Sequence, residues 1–255
     1  MTAGFKSFRA GTALAAILLA GCPLHPAPPN VPGGQAIPAP AEHARPVPDS
    51  VGQRPAGHLG RPYDVAPGDS LLTLRVYRAG RLAKAGHNHL IASHELSGTI
   101  YVPSDVLGTS FEIHVPVGGL TVDEGSLRVQ EGSDFSADVP DSAKDGTRRN
   151  MLGEALLDVE KFPQIVLQSE RLEAGAAGEV QAHIRVEVRQ ASHSLLVPIR
   201  YELSPDRLVI SGEWPLRQTD LGLTPFSALL GALQVQDEMR VKFRIVARAA
   251  PTSHD

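Results

Sequence analysis

The feature that most constrains this chain is a regular alternation of apolar and polar side chains. Nearly every second position is apolar in residues 180–189, and residues 110–117 and 238–247 repeat the pattern. Because successive side chains of a β-strand point to opposite faces, this period indicates strands with one apolar and one solvated face. Weaker alternation marks several further segments, which are residues 71–77, 90–102, 164–172, 195–203 and 207–215.

Turn-forming sequences separate the alternating segments, for example at residues 118–119, 175–178 and 204–206. Roughly eight or nine antiparallel strands of this kind bury their apolar faces either as a closed barrel or as a two-sheet sandwich. Several segments would reach about 30 Å at about 3.3 Å per residue, which favours a tall barrel. We therefore expect an all-β domain over residues 61–250, in which a barrel of about eight strands is wide enough to enclose one small ligand.

One or two short helices are expected to interrupt the strands. Apolar residues recur at helical spacing towards the end of residues 141–155, and Asp141 can cap the start of a helix there. Its Arg148 and Arg149 are interpreted as surface charges. A second short helix is predicted over residues 225–233.

Other conspicuous residues predict structure rather than chemistry. The carboxylates from Asp123 to Asp145 lack the spacing of a calcium-binding EF-hand, and we interpret them as part of a solvated connection. The single tryptophan, Trp214, falls in a predicted strand and is expected to pack within the barrel. The sequence has neither a Gly-x-Ser-x-Gly elbow nor a phosphate-binding glycine loop. No catalytic residue is therefore assigned, and the chain is not expected to be an enzyme.

The N-terminal residues 1–21 have the pattern of an export signal. Lys6 and Arg9 precede an apolar run over residues 13–20, and Cys22 follows directly. The segment ending in Cys22 resembles a bacterial lipobox, in which the cysteine thiol receives a diacylglyceryl group. We expect Cys22 to be lipidated and to hold the protein at the cell envelope, facing the periplasm. The presence of Pro23 instead of an aspartate favours the outer membrane.

Residues 22–60 predict an extended tether. They contain 10 of the 21 prolines and show no hydrophobic period. Such a composition favours a semi-rigid spacer that can hold a domain some tens of Å from its anchor. The chain thus divides into a signal peptide (1–21), a proline-rich tether (22–60) and one barrel domain (61–250).

Two local motifs in the barrel segment are similar to those of a known family. The run from Lys161 to Ser169 resembles the aromatic-Pro-x-Ile-x-Phe-x-Ser strand of the YceI-like family, and Thr219 to Leu223 resembles its Asp-aromatic-Gly turn, although Leu221 stands where an aromatic residue is usual. The resemblance implies a lipocalin-like barrel that binds a long isoprenoid lipid in its interior. It implies no cofactor and no catalytic residue.

A cluster of histidines is the most unusual local feature. His87 and His89 fall on one face of a predicted strand, and His94 follows shortly after. The cluster has three interpretations: structural hydrogen bonds near one end of the barrel, contacts to the polar head group of a lipid such as a quinone or a phosphate, or a metal site on His87 and His89. The metal site would need further ligands, for which the candidates are His114, His193, Asp220 and Glu95.

Together these observations predict a carrier that binds or transports an isoprenoid or quinone-type lipid at the bacterial envelope. A net charge of −4 gives no electrostatic basis for nucleic-acid binding. Two alternatives stay open, which are a metal-dependent enzyme or metal-binding protein built on His87 and His89 and an envelope scaffold with a filled barrel. The side chains expected to line the interior are Phe111, Ile113, Val115, Ile184, Val186, Ile199, Tyr201, Val241, Phe243 and Ile245.

Overall fold

A computed structural model describes residues 59–135 and 138–251, most of which form one antiparallel sheet that closes on itself. Cys22, the predicted signal peptide and nearly all of the predicted tether lie outside the described residues. The strands in chain order are β1 (Arg61–Val65), β2 (Leu71–Ala79), β3 (His89–Ser93), β4 (Ser97–Val102), β5 (Ser110–Pro116), β6 (Thr121–Val122), β7 (Gln164–Ala174), β8 (Val180–Val188), β9 (Ala191–Leu203), β10 (Arg207–Arg217), β11 (Ser227–Ala228) and β12 (Leu233–Ala249).

Helical structure is confined to short segments between the strands. The α-helices are α1 (Gly125–Arg128) and α2 (Asp141–Leu152). The 3-10 turns are Pro67–Asp69, Ala83–Ala85, Val106–Gly108, Val117–Gly119, Ser133–Phe135, Ala176–Gly178 and Gln218–Leu221. No helix among these residues is long and apolar enough to cross a bilayer.

Eight strands close the barrel in the order β1-β4-β5-β7-β8-β9-β10-β12, and β12 returns to pair with β1. All of these pairings are antiparallel. Each segment in which the sequence alternates forms part of a strand, so the predicted all-β, lipocalin-like barrel is confirmed. The alternation turns one face of each strand towards the apolar interior, where the buried residues include Ile100, Ile113, Ala182 and Ala247.

The long strand β12 joins the barrel to an additional flap of sheet. Its C-terminal part pairs with β1, whereas its N-terminal part pairs with β2, which continues into β3 and β6. Ser70 stabilises the corner between β1 and β2: its buried hydroxyl donates to the Ala66 carbonyl at 2.8 Å and accepts from the Val246 N–H at 3.0 Å. At this corner β12 therefore changes its partner from β1 to β2, and the sheet divides into the barrel and the flap.

The segment predicted as one strand over residues 90–102 is in fact two. It bends at residues 94–96, after which β4 pairs with β5 while β3 pairs with β6. Gly98 allows the close approach of β4 to β5, because its φ of 135° is accessible mainly to glycine and a Cβ there would lie 2.1 Å from the Glu112 carbonyl oxygen.

Helix α2 matches the predicted helix, but its capping differs from the prediction. Pro140 occupies the N-cap position and Asp141 is the first helical residue, where its carboxylate pairs with Lys144 at 3.0 Å instead of capping the helix. The second predicted helix, residues 225–233, is wrong. Ser227–Ala228 forms β11, which pairs with the start of β12, because the hydrogen bonds of that neighbouring strand outweigh local helical spacing.

Candidate functional site

The interior of the barrel is hollow. It contains a cavity of about 640 Å³, whose wall is formed mainly by aliphatic and aromatic side chains. This volume lies within the range of about 300–1,000 Å³ that is typical of small-molecule sites. Along β12 the wall runs from Leu233 to Ile245, which is roughly 40 Å of strand at about 3.3 Å per residue. The cavity is therefore elongated and suits a chain-like apolar ligand.

Most of the side chains expected to line the interior do lie on the cavity wall. They are Phe111, Ile113, Val115, Ile184, Val186, Ile199, Val241, Phe243 and Ile245. Tyr201 does not line this cavity: it is 38% exposed and borders a separate cavity of only about 20 Å³, together with Ile199 and Ile210. Alternation along a strand determines the face of the sheet on which a side chain lies but not its depth in the barrel.

The wall also contains Trp214, which was expected to pack within the barrel, and residues of α2 that the sequence did not assign to it. Trp214 packs edge-to-face against Phe243 with ring centroids 5.8 Å apart, and both contact the cavity. Helix α2 contributes further wall residues, which are Ala143, Gly146, Thr147, Asn150 and Met151. The apolar spacing of α2 could have indicated that one face of the helix is buried, but not that it covers a cavity.

Arg148 holds α2 against the barrel. Its guanidinium donates to the carbonyls of Leu120 and Gly118, the latter at 2.7 Å. Both acceptors lie in the connection between β5 and β6, where the sheet has divided. The interpretation of Arg148 as a surface charge was therefore incomplete, because its half-buried side chain donates hydrogen bonds to two carbonyls of the turn before β6.

Polar side chains interrupt the apolar wall in two places. One group consists of His87, His89, Thr147 and Asn150, where β3 approaches α2. The other consists of Arg78, Gln218, Thr224 and Gln234, around the start of β12. A ligand in the cavity therefore meets apolar groups along most of its length and hydrogen-bonding groups in these two places.

His89 connects the barrel to the helix. Its Nδ1 lies 2.6 Å from the Asp123 carboxylate, and its Nε2 lies 3.1 Å from the Thr147 hydroxyl on α2. Both ring nitrogens are thus engaged, which matches the structural interpretation of this histidine. Its ring nevertheless forms part of the cavity wall, so a ligand would contact it.

Asp123 is the buried centre of this network, with a relative exposure of 1%. Its carboxylate accepts hydrogen bonds from His89, from the Leu90 N–H at 2.8 Å and from the Arg128 guanidinium. Burial alone would raise the pKa of Asp123, but these hydrogen bonds and the charges of His89 and Arg128 outweigh it and hold the pKa below its usual value. The interpretation of Asp123 as part of a solvated connection was wrong, because β3 and α1 enclose it.

Arg128 completes the burial of this charge. Its guanidinium also donates to the Asn88 carbonyl at 2.9 Å and lies 5.5 Å from the centre of the Phe135 ring. A buried carboxylate and a buried guanidinium that satisfy each other avoid the large cost of an unpaired charge. The segment after β6 is therefore fixed to β3 directly beside the histidines.

The other histidines occupy different positions. The His87 ring lies on the cavity wall, 6.1 Å from the His89 ring. His94 lies outside the cavity: its side chain is 47% exposed, and its Nε2 is 3.1 Å from a carboxylate oxygen of Glu124. Within residues 59–135 and 138–251, no three His, Cys, Asp or Glu side chains come together in a group that could hold a metal ion, and His114, His193, Asp220 and Glu95 do not complete a site with His87 and His89.

A sequence model of the YceI-like domain matches residues 79–247, which extend from the last residue of β2 to most of β12 and include every barrel strand except β1. The chain belongs to the YceI-like family. The family resemblance of the strand and turn motifs is thereby confirmed. No curated protein matches the chain by sequence.

Several solved structures are similar to this chain at low sequence identity. Burkholderia cenocepacia BcnA is 13% identical, with a TM-score of 0.53 over 72% of this chain and 99% of its own. A polyisoprenoid-binding domain from Saccharophagus degradans is 10% identical, with a TM-score of 0.49 over 74% of this chain and 98% of its own. A mutant YceI protein from Campylobacter jejuni is 7% identical, with a TM-score of 0.44 over 61% of this chain and 82% of its own.

Proposed function

We propose that this YceI-like protein binds an amphiphilic, isoprenoid-type lipid inside its barrel and carries or sequesters it at the bacterial envelope. The observation that carries the proposal is the elongated apolar cavity of about 640 Å³. Each CH₂ group that leaves water for such a site contributes about 0.8 kcal/mol, so the wall can solubilise a hydrocarbon chain. The ligand implied by the family, a long isoprenoid, is a molecule of this kind.

The polar side chains that line the cavity beside α2, which include His87 and Asn150, support binding of a lipid with a polar head. Transfer of the tail from a bilayer to the cavity is nearly neutral, because both environments are apolar. Selectivity must therefore come from the length and shape of the cavity and from hydrogen bonds to the head. No described residue hydrogen-bonds the side chains of His87 or Asn150, and both lie on the wall. A quinone carbonyl or a phosphate oxygen could accept hydrogen bonds from these two side chains.

In this proposal the protein acts by binding, and no covalent bond is made or broken. A diacylglyceryl group on Cys22 would hold the carrier at the membrane that supplies its ligand, since two acyl chains anchor a protein durably. The tether over residues 22–60 would allow the barrel to reach along that membrane. The compartment we propose is the periplasmic side of the envelope, at the outer membrane.

The decisive experiment is extraction of the full-length purified protein and identification of co-purifying lipids by mass spectrometry. Ala182 lies on the cavity wall and is 1% exposed. In Ala182→Phe the larger ring should therefore occupy part of the cavity and reduce the amount of isoprenoid lipid that co-purifies with the protein. The matched control is Arg185→Phe, which places the same ring on the exposed face of the same strand. Equal lipid in both variants would contradict binding in the cavity.

An optical assay is available because Trp214 is the only tryptophan in the chain and lies on the cavity wall. Titration with an isoprenoid quinone should quench its fluorescence, and the same titration should leave the emission of Ala182→Phe nearly unchanged. If the protein yields no extractable lipid and the quinone does not alter Trp214 emission, the proposal fails.

A further inference from the structure

Two neighbouring loops form one end of the cavity. We define the mouth loops as residues 80–86, which form most of the connection between β2 and β3, and residues 226–232, which contain β11 and lead into β12. The Leu82 N–H donates to the Ala232 carbonyl at 2.8 Å, so the loops lie side by side. Both loops also contribute wall residues, which are Ala85 and Gly86 from the first and Phe226 and Ala228 from the second.

The mouth loops expose large apolar side chains to solvent. Leu82 is 46% exposed, Leu229 is 67% exposed and Leu230 is fully exposed. Scattered single leucines on a surface are ordinary, but these three share two hydrogen-bonded loops beside an apolar cavity. The apolar wall of the cavity therefore continues onto the outer surface at this end.

The backbone at Leu229 and Leu230 does not suit leucine. Both residues have φ near 53°, and the Gly231 N–H donates to the Ala228 carbonyl at 3.1 Å. This is the geometry of a type I′ turn, whose central positions strongly prefer Asn-Gly. Neither turn formation nor core packing accounts for two leucines here, and a residue held in an unfavourable conformation at a surface points to a functional contact.

The charged residues within the mouth loops have one sign. Residues 78–87 contain Arg78, Arg81 and Lys84 but no acidic residue, and residues 223–235 carry no charge at all. Arg81 and Lys84 are exposed, and neither forms an ion pair with a described residue. An apolar projection flanked by unpaired cations is the composition of a surface that binds anionic lipid membranes.

We propose that the mouth loops dock on the surface of an anionic bilayer, with Leu82, Leu229 and Leu230 inserted at the headgroup boundary and Arg81 and Lys84 against lipid phosphates. This inference rests on the proposed function, because docking would serve lipid transfer. A docked barrel would let a lipid pass between bilayer and cavity without exposing its tail to water. A second copy of the chain is a poorer occupant, because a symmetric contact would bring the same cations face to face.

The test uses residues 22–255 carrying Cys22→Ser, so that neither an acyl anchor nor the cationic and apolar segment over residues 1–21 contributes to vesicle binding. Its co-sedimentation is measured with vesicles of phosphatidylcholine alone and of phosphatidylcholine mixed with phosphatidylglycerol. The parent should prefer the anionic vesicles, and Leu229→Asn with Leu230→Asn should weaken its partitioning by about tenfold or more. Asparagine is chosen because it tolerates positive φ, so the turn should remain folded.

Two further variants separate the apolar from the electrostatic contribution. Leu196→Thr with Leu203→Thr removes two exposed leucines from β9 and should leave partitioning unchanged. Arg81→Gln with Lys84→Gln should abolish the preference for phosphatidylglycerol, and added salt should have the same effect on the parent.

The docking inference is overturned if the Leu229/Leu230 variant binds vesicles as the parent does. It is also overturned if that variant changes only the oligomeric state in sedimentation equilibrium, since the loops would then be an interface between copies. Lipid extraction from the same preparations separates this result from the proposed function. If isoprenoid is extracted from the parent but the Leu229/Leu230 variant binds vesicles as the parent does, docking alone is rejected. If the variant loses vesicle binding but no lipid is extracted from the parent, the carrier function alone is rejected.

Discussion

The Nδ1 atom of His89 lies 2.6 Å from the carboxylate of Asp123, although the two residues belong to segments that the sequence separates by a full hairpin. The opposite nitrogen of the same ring reaches Thr147 on α2 at 3.1 Å. One imidazole therefore connects a buried carboxylate, a barrel strand and the helix that covers the cavity. The positions of His89 and Thr147 on the cavity wall therefore depend on the buried charge of Asp123, which does not itself line the cavity.

Asp123→Asn is expected to destabilise the protein strongly. The substitution removes the negative charge that compensates Arg128, and an unpaired buried charge typically costs about 3–5 kcal/mol. Urea-induced unfolding measures the change in the free energy of unfolding. Asp145→Asn, an exposed acid on α2, should change it by less than about 0.5 kcal/mol. Equal effects of the two substitutions would contradict the role assigned to Asp123.

The same carboxylate predicts the acid sensitivity of the fold. Its pKa is lower in the folded protein than the ordinary value of about 3.9, so Asp123 contributes stability above that pH and loses it as the pH falls through the folded pKa. The free energy of unfolding should therefore decline below about pH 4. In Asp123→Asn this decline should be shallower, which chemical denaturation at a series of acidic pH values can measure.

Neighbouring arginines on α2 provide an internal comparison. Arg148→Gln removes donors to the Gly118 and Leu120 carbonyls, and we expect amide hydrogen exchange in α2 to accelerate because the helix is released from the barrel. Arg149→Gln changes an exposed side chain one position later and should leave exchange unaltered. If both variants exchange alike, the attachment of α2 through Arg148 is not the controlling contact.

The strands and most of the cavity wall could be predicted from the sequence because both follow from a period of two. Phe111, Ile113 and Val115 lie on the wall for the same reason that they alternate. Tyr201 follows the same alternation but lies outside the main cavity, because depth along the barrel depends on how the strands are staggered. Alternation along a single strand does not determine that stagger.

The network behind the wall could not be predicted, because it depends on contacts between distant segments. Asp123 lies in an acidic stretch that looks solvated, and it is buried only because β3 pairs with β6 beside it. Likewise, β11 forms where local spacing favours a helix because β12 offers it a strand partner. In each case tertiary pairing overrides the local preference of the chain.

The anchor predicted at Cys22 leads to a fractionation experiment. Cys22→Ser removes the only thiol in the chain and should leave an unlipidated precursor that is lost from the membrane fraction after cell lysis and a high-salt wash. The salt weakens any electrostatic contact of the barrel with lipid, so that acylation alone is compared. Membrane association that is the same in the parent and in Cys22→Ser would contradict the anchor.

The turn at Leu229 and Leu230 should be a position where stability can be increased at the expense of membrane contact. Leu229→Asn with Leu230→Gly matches the residue preference of a type I′ turn, and relief of two unfavourable positive φ angles should raise the free energy of unfolding by about 1 kcal/mol or more. Leu82 is the appropriate control, because it is also exposed but has φ of −100°, so Leu82→Asn should give no such gain. Urea unfolding with an unchanged m-value would measure the difference. A gain confined to the Leu229/Leu230 variant would mean that folding alone does not account for these leucines, whereas the absence of a gain would mean that the turn accommodates them without strain.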